Sequence, residues 1–362
     1  MGCSAILLPA RARVEISSLV RRAWAFNRLV TLAGLLHLAL IPLCVVAWLV
    51  DPRAILGQPA WIKPLKFAIS GGIYLFTFLW LLSYVRGFPR IKQFAAGAAG
   101  VALLAETGLI TMQVVRGTTS HFNVSSAFDG AVFGVMGGFI VMVATLNLLL
   151  GIALFFQRLP DPVFAWGLRW GVLISFVGMA IAFLMTSGPT PQQQARMEAG
   201  EPATAIGAHA VGVEDGGPGL PFVGWSTEGG DLRAPHFVGL HGMQALPLVG
   251  WLLGWPAIRR RLSTGHRVVL VSLWGVGYLA LTLLLTWQAL RGQSIIAPDG
   301  ATWAALLGLM GSFILGVGLI LAHGLAIAPG RRSLGFGPRN MPPFDMQHAR
   351  ALYPKQRKQH QN

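Results

Sequence analysis

The sequence predicts an all-α polytopic membrane protein, and three observations lead to this fold class. The chain has 362 residues, of which 54% are hydrophobic and only 11% are charged. A soluble protein of this length cannot bury so much apolar surface. Apolar runs of about 20 residues, the length at which a helix spans a bilayer, recur along the chain. The basic residues concentrate in alternate connections between these runs, as they do in multi-pass proteins.

Each long apolar run predicts one transmembrane helix, and the chain contains eight of them. They cover residues 29–50, 65–85, 94–115, 131–156, 163–186, 236–255, 268–290 and 302–327. The two ends of the chain and every second connection carry 20 of the 28 Lys and Arg, whereas the other connections carry seven. Since basic connections stay in the cytoplasm, both termini are expected inside, with the protein in the inner (plasma) membrane. The net charge of +15 is therefore a sign of topology and not of nucleic-acid binding.

The chain is expected to consist of two halves with basic ends. Residues 1–28 form a cytoplasmic segment, 29–156 the first four-helix half, 163–327 the second half, and 328–362 a basic cytoplasmic tail that could contact anionic headgroups. An outer loop, 187–235, interrupts the second half with ten Gly, six Pro and no helical period. We expect a structureless loop, packed across the outer mouth by its apolar residues.

The two halves are expected to form a parallel repeat. Residues 110–117 read ITMQVVRG and residues 285–292 read LTWQALRG, so both give T-x-Q-x-x-R-G at the outer end of a span. The spans that follow contain GVMGGFI at 134–140 and GLMGSFI at 308–314, at nearly the same offset. In membrane proteins built from repeats, the functional site tends to lie between the halves.

A polar constellation at the outer ends of the spans is the candidate site. Glu106 stands out, because a carboxyl inside a bilayer must be protonated, paired or hydrated. His236 and His241 lie about 140° apart on a helix and are expected to face different neighbours. The candidate ligand-binding residues are Lys63, Lys66, Glu106, Gln113, Arg116, Gln244 and Arg291. The candidate metal ligands are His121, His209, His236, His241 and Asp231.

These residues leave four functions open, two of which need a metal. The first is a redox protein holding haem or a divalent transition metal. Its outer axial pair would come from His121, His236 and His241, and its inner pair would be His37 with His323. The second is a metal-dependent membrane hydrolase, in which His121, His241 and one acidic residue hold zinc. The acidic candidates are Asp129, Asp215 and Asp231.

The other two functions need no metal. One is a transporter or lipid-handling protein, in which Glu106 and the histidines titrate. The basic residues, Lys63, Lys66, Arg116 and Arg291, would then receive an anionic small molecule or lipid. The other is a structural or assembly subunit of an oligomer, whose polar residues only tie the helices and the loop together. All four share the lipid bilayer as a partner.

Overall fold

A computed structural model describes residues 10–326, with the backbone alone for residues 10–16, and shows a bundle of long helices. The predicted contact of the tail with headgroups lies outside these residues. The helices are α1 (Ala10–Phe26), α2 (Arg28–Val50), α3 (Ile62–Tyr84), α4 (Pro89–Val115), α5 (Ala127–Phe156), α6 (Pro162–Leu184), α7 (Pro191–Glu198), α8 (Arg233–Leu253), α9 (Pro256–Arg261), α10 (Thr264–Leu290) and α11 (Gly300–Ala326). Two antiparallel hairpins pair β1 (Ala54–Ile55) with β2 (Gln58–Pro59), and β3 (Ala210–Val211) with β4 (Gly230–Asp231).

Seven helices within residues 10–326 are long and apolar enough to cross a membrane: α2, α3, α4, α5, α6, α10 and α11. Each coincides with one of the predicted spans. The sixth predicted span corresponds to α8, which is 21 residues long but is not apolar enough to be counted with the others. Its polar residues, Arg233, His236, His241 and Gln244, lower its hydropathy. The chain is a multi-pass helical membrane protein, and a count of eight spans depends on α8.

Side-chain caps begin several of the long helices. The Asn27 side chain accepts a hydrogen bond from the backbone of α2, and Ser126 does the same for α5. Asp161 caps α6, where Pro162 occupies the first helical position, and Ser263 caps α10. These residue types satisfy backbone N–H groups that have no partner inside the helix.

The connections 51–61, 116–126, 185–232 and 291–299 gather at one end of the bundle, which we name the loop face. Arg53 donates to the carbonyl of Val115 at the end of α4. Ser294 donates to the carbonyl of Ser226 in the long connection. The opposite end, where α9 joins α8 to α10, is named the terminal face. We describe the depth of a side chain in the bundle by its distance along its helix from the loop face.

Glycines allow α6 and α8 to pack backbone against backbone. A Cβ atom added at Gly178 would lie 2.6 Å from the nitrogen of Leu240, and one at Gly239 would lie 2.6 Å from the Cα of Gly178. Gly171 and Gly242 make a second close approach one to two turns away. Small residues at such crossings are a common basis of helix association in membranes.

The other helices pack around this pair in a regular pattern. In the first four spans, α2 packs on α3 and α4, and α4 packs on α3 and α5. Among the later helices, α6 packs on α8 and α10, and α10 packs on α8 and α11. The contact between α5 and α6 joins the two groups. The middle helix of the first group is therefore α4, and that of the second group is α10. The last helix of each group, α5 or α11, packs on this middle helix.

The long connection is not structureless, and that expectation was wrong. Thr190 and Gln193 form a capping box that begins α7, with Pro191 at its first position. Further on, the β3–β4 hairpin lies against α10. The connection is also fastened to α3, because the Lys66 ammonium donates to the carbonyl of Val223 at 3.0 Å. The capping-box pattern T-P-Q-Q was present in the sequence and predicts a helix start.

Candidate functional site

Glu106 is buried inside the bundle, nine residues before Val115 at the loop-face end of α4. Its side chain is 1% exposed, and neither carboxylate oxygen has a hydrogen-bond partner within the described part of the chain. The nearest ionisable group is His121, whose Nε2 lies 3.6 Å from Oε1 of Glu106. This distance is too long for a hydrogen bond but requires only a small movement to make one.

His121 lies in the connection between α4 and α5, within an aromatic pocket. The ring centres of Phe67 and Phe133 lie 6.0 Å and 6.3 Å from that of His121. Ser120 Oγ is 3.0 Å from Nδ1 of the same imidazole. The next residue, Phe122, has a φ of 61°, a left-handed conformation that is uncommon for a residue with a large side chain. The connection thus turns sharply where it places His121 above Glu106.

The long connection contributes a second histidine to this pocket. The backbone N–H of Ile206 donates to the carbonyl of Phe122, and that of Val124 donates to the carbonyl of Thr204. These bonds hold residues 204–206 against the α4–α5 connection. They bring the His209 ring to 4.8 Å from the Phe122 ring and 6.3 Å from the His121 ring, between centres.

His209 is oriented by Asp215. Its Nδ1 lies 2.6 Å from Oδ2 of Asp215, and the backbone N–H groups of His209 and Ala210 donate to the same carboxylate. Because a carboxylate only accepts, Nδ1 of His209 carries the hydrogen and Nε2 keeps its lone pair. Asp215 therefore sets the tautomer of His209 as well as its position.

The electrostatics of the connections favour neutral imidazoles beside a charged Asp215. Burial lowers the pKa of His121 well below its ordinary value, and the charges of Lys63, His209 and His236 lower it further. Burial also lowers the pKa of His209, more than Asp215 raises it. Burial alone would raise the pKa of Asp215, but the hydrogen bonds from His209 and from the backbone outweigh it and hold this pKa below its usual range.

Lys63 is the basic residue of this cluster. It lies in the first turn of α3, and its charge interacts with Glu106, His121, His209 and Asp215. Within residues 17–326, Lys63 makes no hydrogen bond and no ion pair. The cluster therefore contains an acceptor at Glu106 and a donor at Lys63, both without a direct partner.

Other basic residues of the candidate set fasten the connections instead. Lys66 holds the carbonyl of Val223, as described above. Arg291 pairs with Asp299 at 2.5 Å and stacks over Trp287, its guanidinium carbon 4.4 Å from the ring centre. Both are accounted for by these contacts.

Gln113 and Arg116 are also accounted for by a local network. Gln113 donates to Oδ1 of Asp129 at 2.8 Å, and Arg116 pairs with the same oxygen at 2.5 Å. Arg116 also donates to Gln113. This network ties the end of α4 to the first turn of α5, whose N-cap is Ser126.

The polar residues of α8 diverge, and His236 faces the cluster. Its Nδ1 lies 2.7 Å from the carbonyl of Gly178, and its charge interacts with those of His121 and His209. His241 instead bonds to the carbonyl of Phe237 and stacks on that ring, which is 46% exposed on the bundle surface. Gln244 donates to Oγ1 of Thr77 in α3 at 3.2 Å.

The acidic metal candidates drawn from the sequence have other partners in the structure. Asp231 pairs with Arg233 at 2.5 Å and accepts from the backbone of Ser226. Across residues 17–326, no group of three or more His, Cys, Asp or Glu could hold a metal ion. Asp129 and Asp215 have the local partners given above, so neither completes a zinc triad with His121 and His241.

The inner haem pair stays a prediction, and its two histidines have other partners in the structure. His37 uses Nδ1 on the carbonyl of Ala33 and Nε2 on Oγ1 of Thr107, at 2.8 Å and 3.0 Å. His323 lies with Nδ1 at 2.9 Å from Nε2 of His266. Both ring nitrogens of His37 therefore have a hydrogen-bond partner inside the bundle.

The buried polar groups outside the candidate set include one on each of α3, α5 and α6. The Tyr74 hydroxyl, both amide atoms of Asn147 and the Ser175 hydroxyl have no hydrogen-bond partner within the described residues. A sequence signal existed for Asn147, which interrupts the apolar run 131–156. Ser175 and Tyr74 are ordinary in such runs and carry no comparable signal.

No family model matches the chain, and no curated protein or solved structure matches it. The class of the protein therefore rests on its own fold and site. It is a multi-pass helical membrane protein with a buried cluster of ionisable side chains near the loop face.

Proposed function

We propose that the protein is a proton-translocating membrane transport protein and that Glu106 is its proton-binding group. The observation that carries this proposal is the burial of Glu106 between membrane helices, where neither carboxylate oxygen accepts a hydrogen bond from the part of the chain that the structure describes. An ionisable group in this setting is costly to keep charged and is often part of a proton relay. Holding a helix in place would not require a carboxyl.

The groups above Glu106 form a route to the loop face. Asp215 contacts His209, the His209 and His121 rings are neighbours, and His121 Nε2 lies 3.6 Å from Glu106. A neutral imidazole can accept a proton on one nitrogen and release one from the other. One water molecule between the two rings would complete the chain of hydrogen bonds. The positive charge of Lys63 disfavours a protonated His121 or His209. A proton is therefore passed on and is not held by either imidazole.

The membrane and the orientation are part of the proposal. The Lys and Arg bias places the terminal face in the cytoplasm and the loop face outside an inner (plasma) membrane, with α8 as an eighth span and both termini inside. The relay then opens to the extracytoplasmic side. A proton would enter at Asp215, which is part of the long connection.

We further propose that α2–α5 and the set α6, α8, α10 and α11 are the two halves of a parallel repeat. The helix contacts within each set follow the same order, as described under the fold. In both sets the arginine of T-x-Q-x-x-R-G pairs with an aspartate at the start of the next helix, Asp129 or Asp299. The motif glycines, Gly117 and Gly292, have φ values of 75° and 71°. Glu106 lies in the first half and His236, in the second, faces its cluster.

Proton flux into liposomes tests the function directly. The purified protein is reconstituted into vesicles that contain a pH-sensitive dye, and an inside-negative potassium diffusion potential drives protons inward. We expect acidification in vesicles with the wild-type protein and a rate no faster than that of empty vesicles with Glu106→Gln. Glu106→Asp, which keeps a carboxyl, is expected to retain part of the flux.

The control for this experiment is Glu198→Gln, since Glu198 is exposed in α7 and bonds only to Gln194 among the described residues. It should conduct at the wild-type rate. The proposal is wrong if wild-type vesicles acidify no faster than empty ones. It is also wrong if Glu106→Gln conducts as well as the control.

Lys63 supports a second candidate function, the binding of a small anion. Unlike Lys66, Arg116 and Arg291, it has no partner within residues 17–326, although it lies among the groups of the cluster. An ammonium in this position can receive a carboxylate or phosphate group. Isothermal titration with acetate and with inorganic phosphate tests this. Heat seen with wild type and with Arg196→Met, but absent in Lys63→Met, would support it, and no heat with wild type would exclude it for these anions.

A further inference from the structure

Among the described residues with a buried and unpartnered polar atom, five lie on five different helices, α3, α4, α5, α6 and α8. Each atom is buried and has no hydrogen bond within the described residues: the carboxylate oxygens of Glu106, the Tyr74 hydroxyl, both amide atoms of Asn147, the Ser175 hydroxyl and Oε1 of Gln244. Buried polar atoms are nearly always hydrogen-bonded, to protein or to water. Asn147 and Ser175 are 0% exposed. These unpartnered polar atoms therefore indicate that a bound molecule supplies their hydrogen bonds.

The five residues surround one apolar contact, which we name the collar. The collar is formed by Ala102 of α4, Val143 of α5, Met179 of α6 and Leu240 of α8, and Tyr74 of α3 packs against it. Each of the other four polar residues is four positions from a collar residue of its own helix. Because residues four apart lie on the same helix face, these side chains point towards the same axis as the collar.

The directions of the helices place the polar residues on two sides of the collar. Glu106 follows Ala102 on α4, which runs towards the loop face, so Glu106 lies on the loop side. Asn147 and Gln244 follow their collar residues on α5 and α8, which run towards the terminal face. Ser175 precedes Met179 on α6, which runs towards the loop face. These three residues therefore lie beyond the collar, on its terminal side.

We propose that Asn147, Ser175 and Gln244, together with Tyr74 beside the collar, form a second polar site on the terminal side, and that this site holds water. Its groups are a phenol, two amides and a hydroxyl, so it offers hydrogen-bond donors and acceptors but no charge. A buried water binds where two to four polar partners are available, and these residues offer unpartnered groups from α3, α5, α6 and α8. An uncharged site of this kind suits water better than an ion.

The role of the second polar site rests on the proposed proton transport, whereas the presence of water at the site does not. Water at the second site would carry a proton released by Glu106 onward to the terminal face. The collar between the two sites would keep water out of the middle of the path. Small shifts of Met179 or Leu240 would then open the path, in the manner of hydrophobic constrictions that gate by dewetting.

Radiolytic hydroxyl-radical labelling with mass spectrometry tests for the water. Radicals formed from a buried water modify the side chain beside it. Tyr74 is the reporter, and Phe78, which is fully buried and stacks on Tyr74 at 5.7 Å between ring centres, is the dry control. Each residue is normalised to its own labelling in the unfolded protein. We expect Tyr74 to be labelled and Phe78 to be protected. Asn147→Leu, or the smaller change Ser175→Ala, should reduce the labelling of Tyr74.

Proton flux through the same variants tests the role. Asn147→Leu should slow flux several-fold, whereas Thr145→Val, two residues away and exposed, should leave it unchanged. Protection of Tyr74 equal to that of Phe78 overturns the second site, even where wild-type flux supports Glu106. Labelled Tyr74 without any wild-type flux supports the water site and rejects the proposed function. Labelled Tyr74 with normal flux through Asn147→Leu and Ser175→Ala overturns the role of the site in the path.

Discussion

Replacing Gly178 by alanine is expected to destabilise the bundle by forcing α6 and α8 apart. The added Cβ would lie 2.6 Å from the nitrogen of Leu240 and 2.7 Å from the carbonyl carbon of Gly239. Ordinary contacts of a Cβ atom are 3.4–4 Å, and the atoms it meets are backbone atoms that no rotamer change can remove. The helices must therefore separate by roughly 1 Å, and overpacking of this kind costs about 1–3 kcal/mol.

Gly137→Ala is the matched control for this prediction. Gly137 is exposed on α5, and a Cβ there meets no atom within 4 Å. Alanine in an open helix position is more favourable than glycine by about 0.5–1 kcal/mol. The two substitutions make the same chemical change, so they should shift the free energy of unfolding in opposite directions.

The assay is unfolding of the purified protein in mixed micelles with increasing sodium dodecyl sulfate, followed by tryptophan fluorescence. Gly178→Ala should unfold at a lower detergent fraction than wild type, and Gly137→Ala at an equal or higher one. The same variant should impair proton flux, because the carbonyl of Gly178 holds Nδ1 of His236 at 2.7 Å. Wild-type stability of Gly178→Ala would refute the backbone packing of α6 on α8.

Three further predictions concern the connections of the loop face. Burial lowers the pKa of His121 and His209 in the folded protein. Below a pH of about 6.5 the unfolded chain therefore binds more protons than the folded one. The melting temperature should fall as the pH falls through this range. His121→Gln should lessen this fall, and an unchanged slope in His121→Gln would contradict the assignment. Asp215→Asn should make the long connection more sensitive to limited proteolysis, because the His209 ring and two backbone N–H groups lose a charged acceptor. The control variant at the neighbouring position, Glu214→Gln, should resist proteolysis as the wild type does. Asp129→Asn should lower the melting temperature more than Asp299→Asn, because the Asp129 side chain is buried and that of Asp299 is exposed. Equal effects would argue against the buried network between α4 and α5.

Much of the helix pattern could be predicted from the sequence. The apolar runs correspond to the observed long helices, because a spanning helix satisfies its backbone within one segment and requires only local apolarity. Glu106 was also identifiable, since a charge inside such a run is unusual. The capping box at Thr190 was readable as well, although the helix α7 that it begins was not predicted.

The membership of the site could not be predicted in the same way. Shared depth suggested that Arg116 and Lys66, with His209 or Asp231 from the loop, would approach Glu106, but local partners take Arg116, Lys66 and Asp231. His209 lies beside His121 because residues 204–206 pair with residues 122–124 across the sequence. Such pairings depend on a chain path that no local pattern specifies.

The sequence by itself determined that the chain crosses a membrane several times and where its long helices lie, because both follow from apolarity counted along short segments. Tertiary structure alone decided which helix faces meet, and so which of the polar side chains become buried together. The physical reason is that lipid and a neighbouring helix are equally apolar, so hydropathy does not distinguish a face that meets one from a face that meets the other. Ala102, Val143, Met179 and Leu240 are ordinary residues in their runs, and they became a collar between two polar sites only when five helices packed around them.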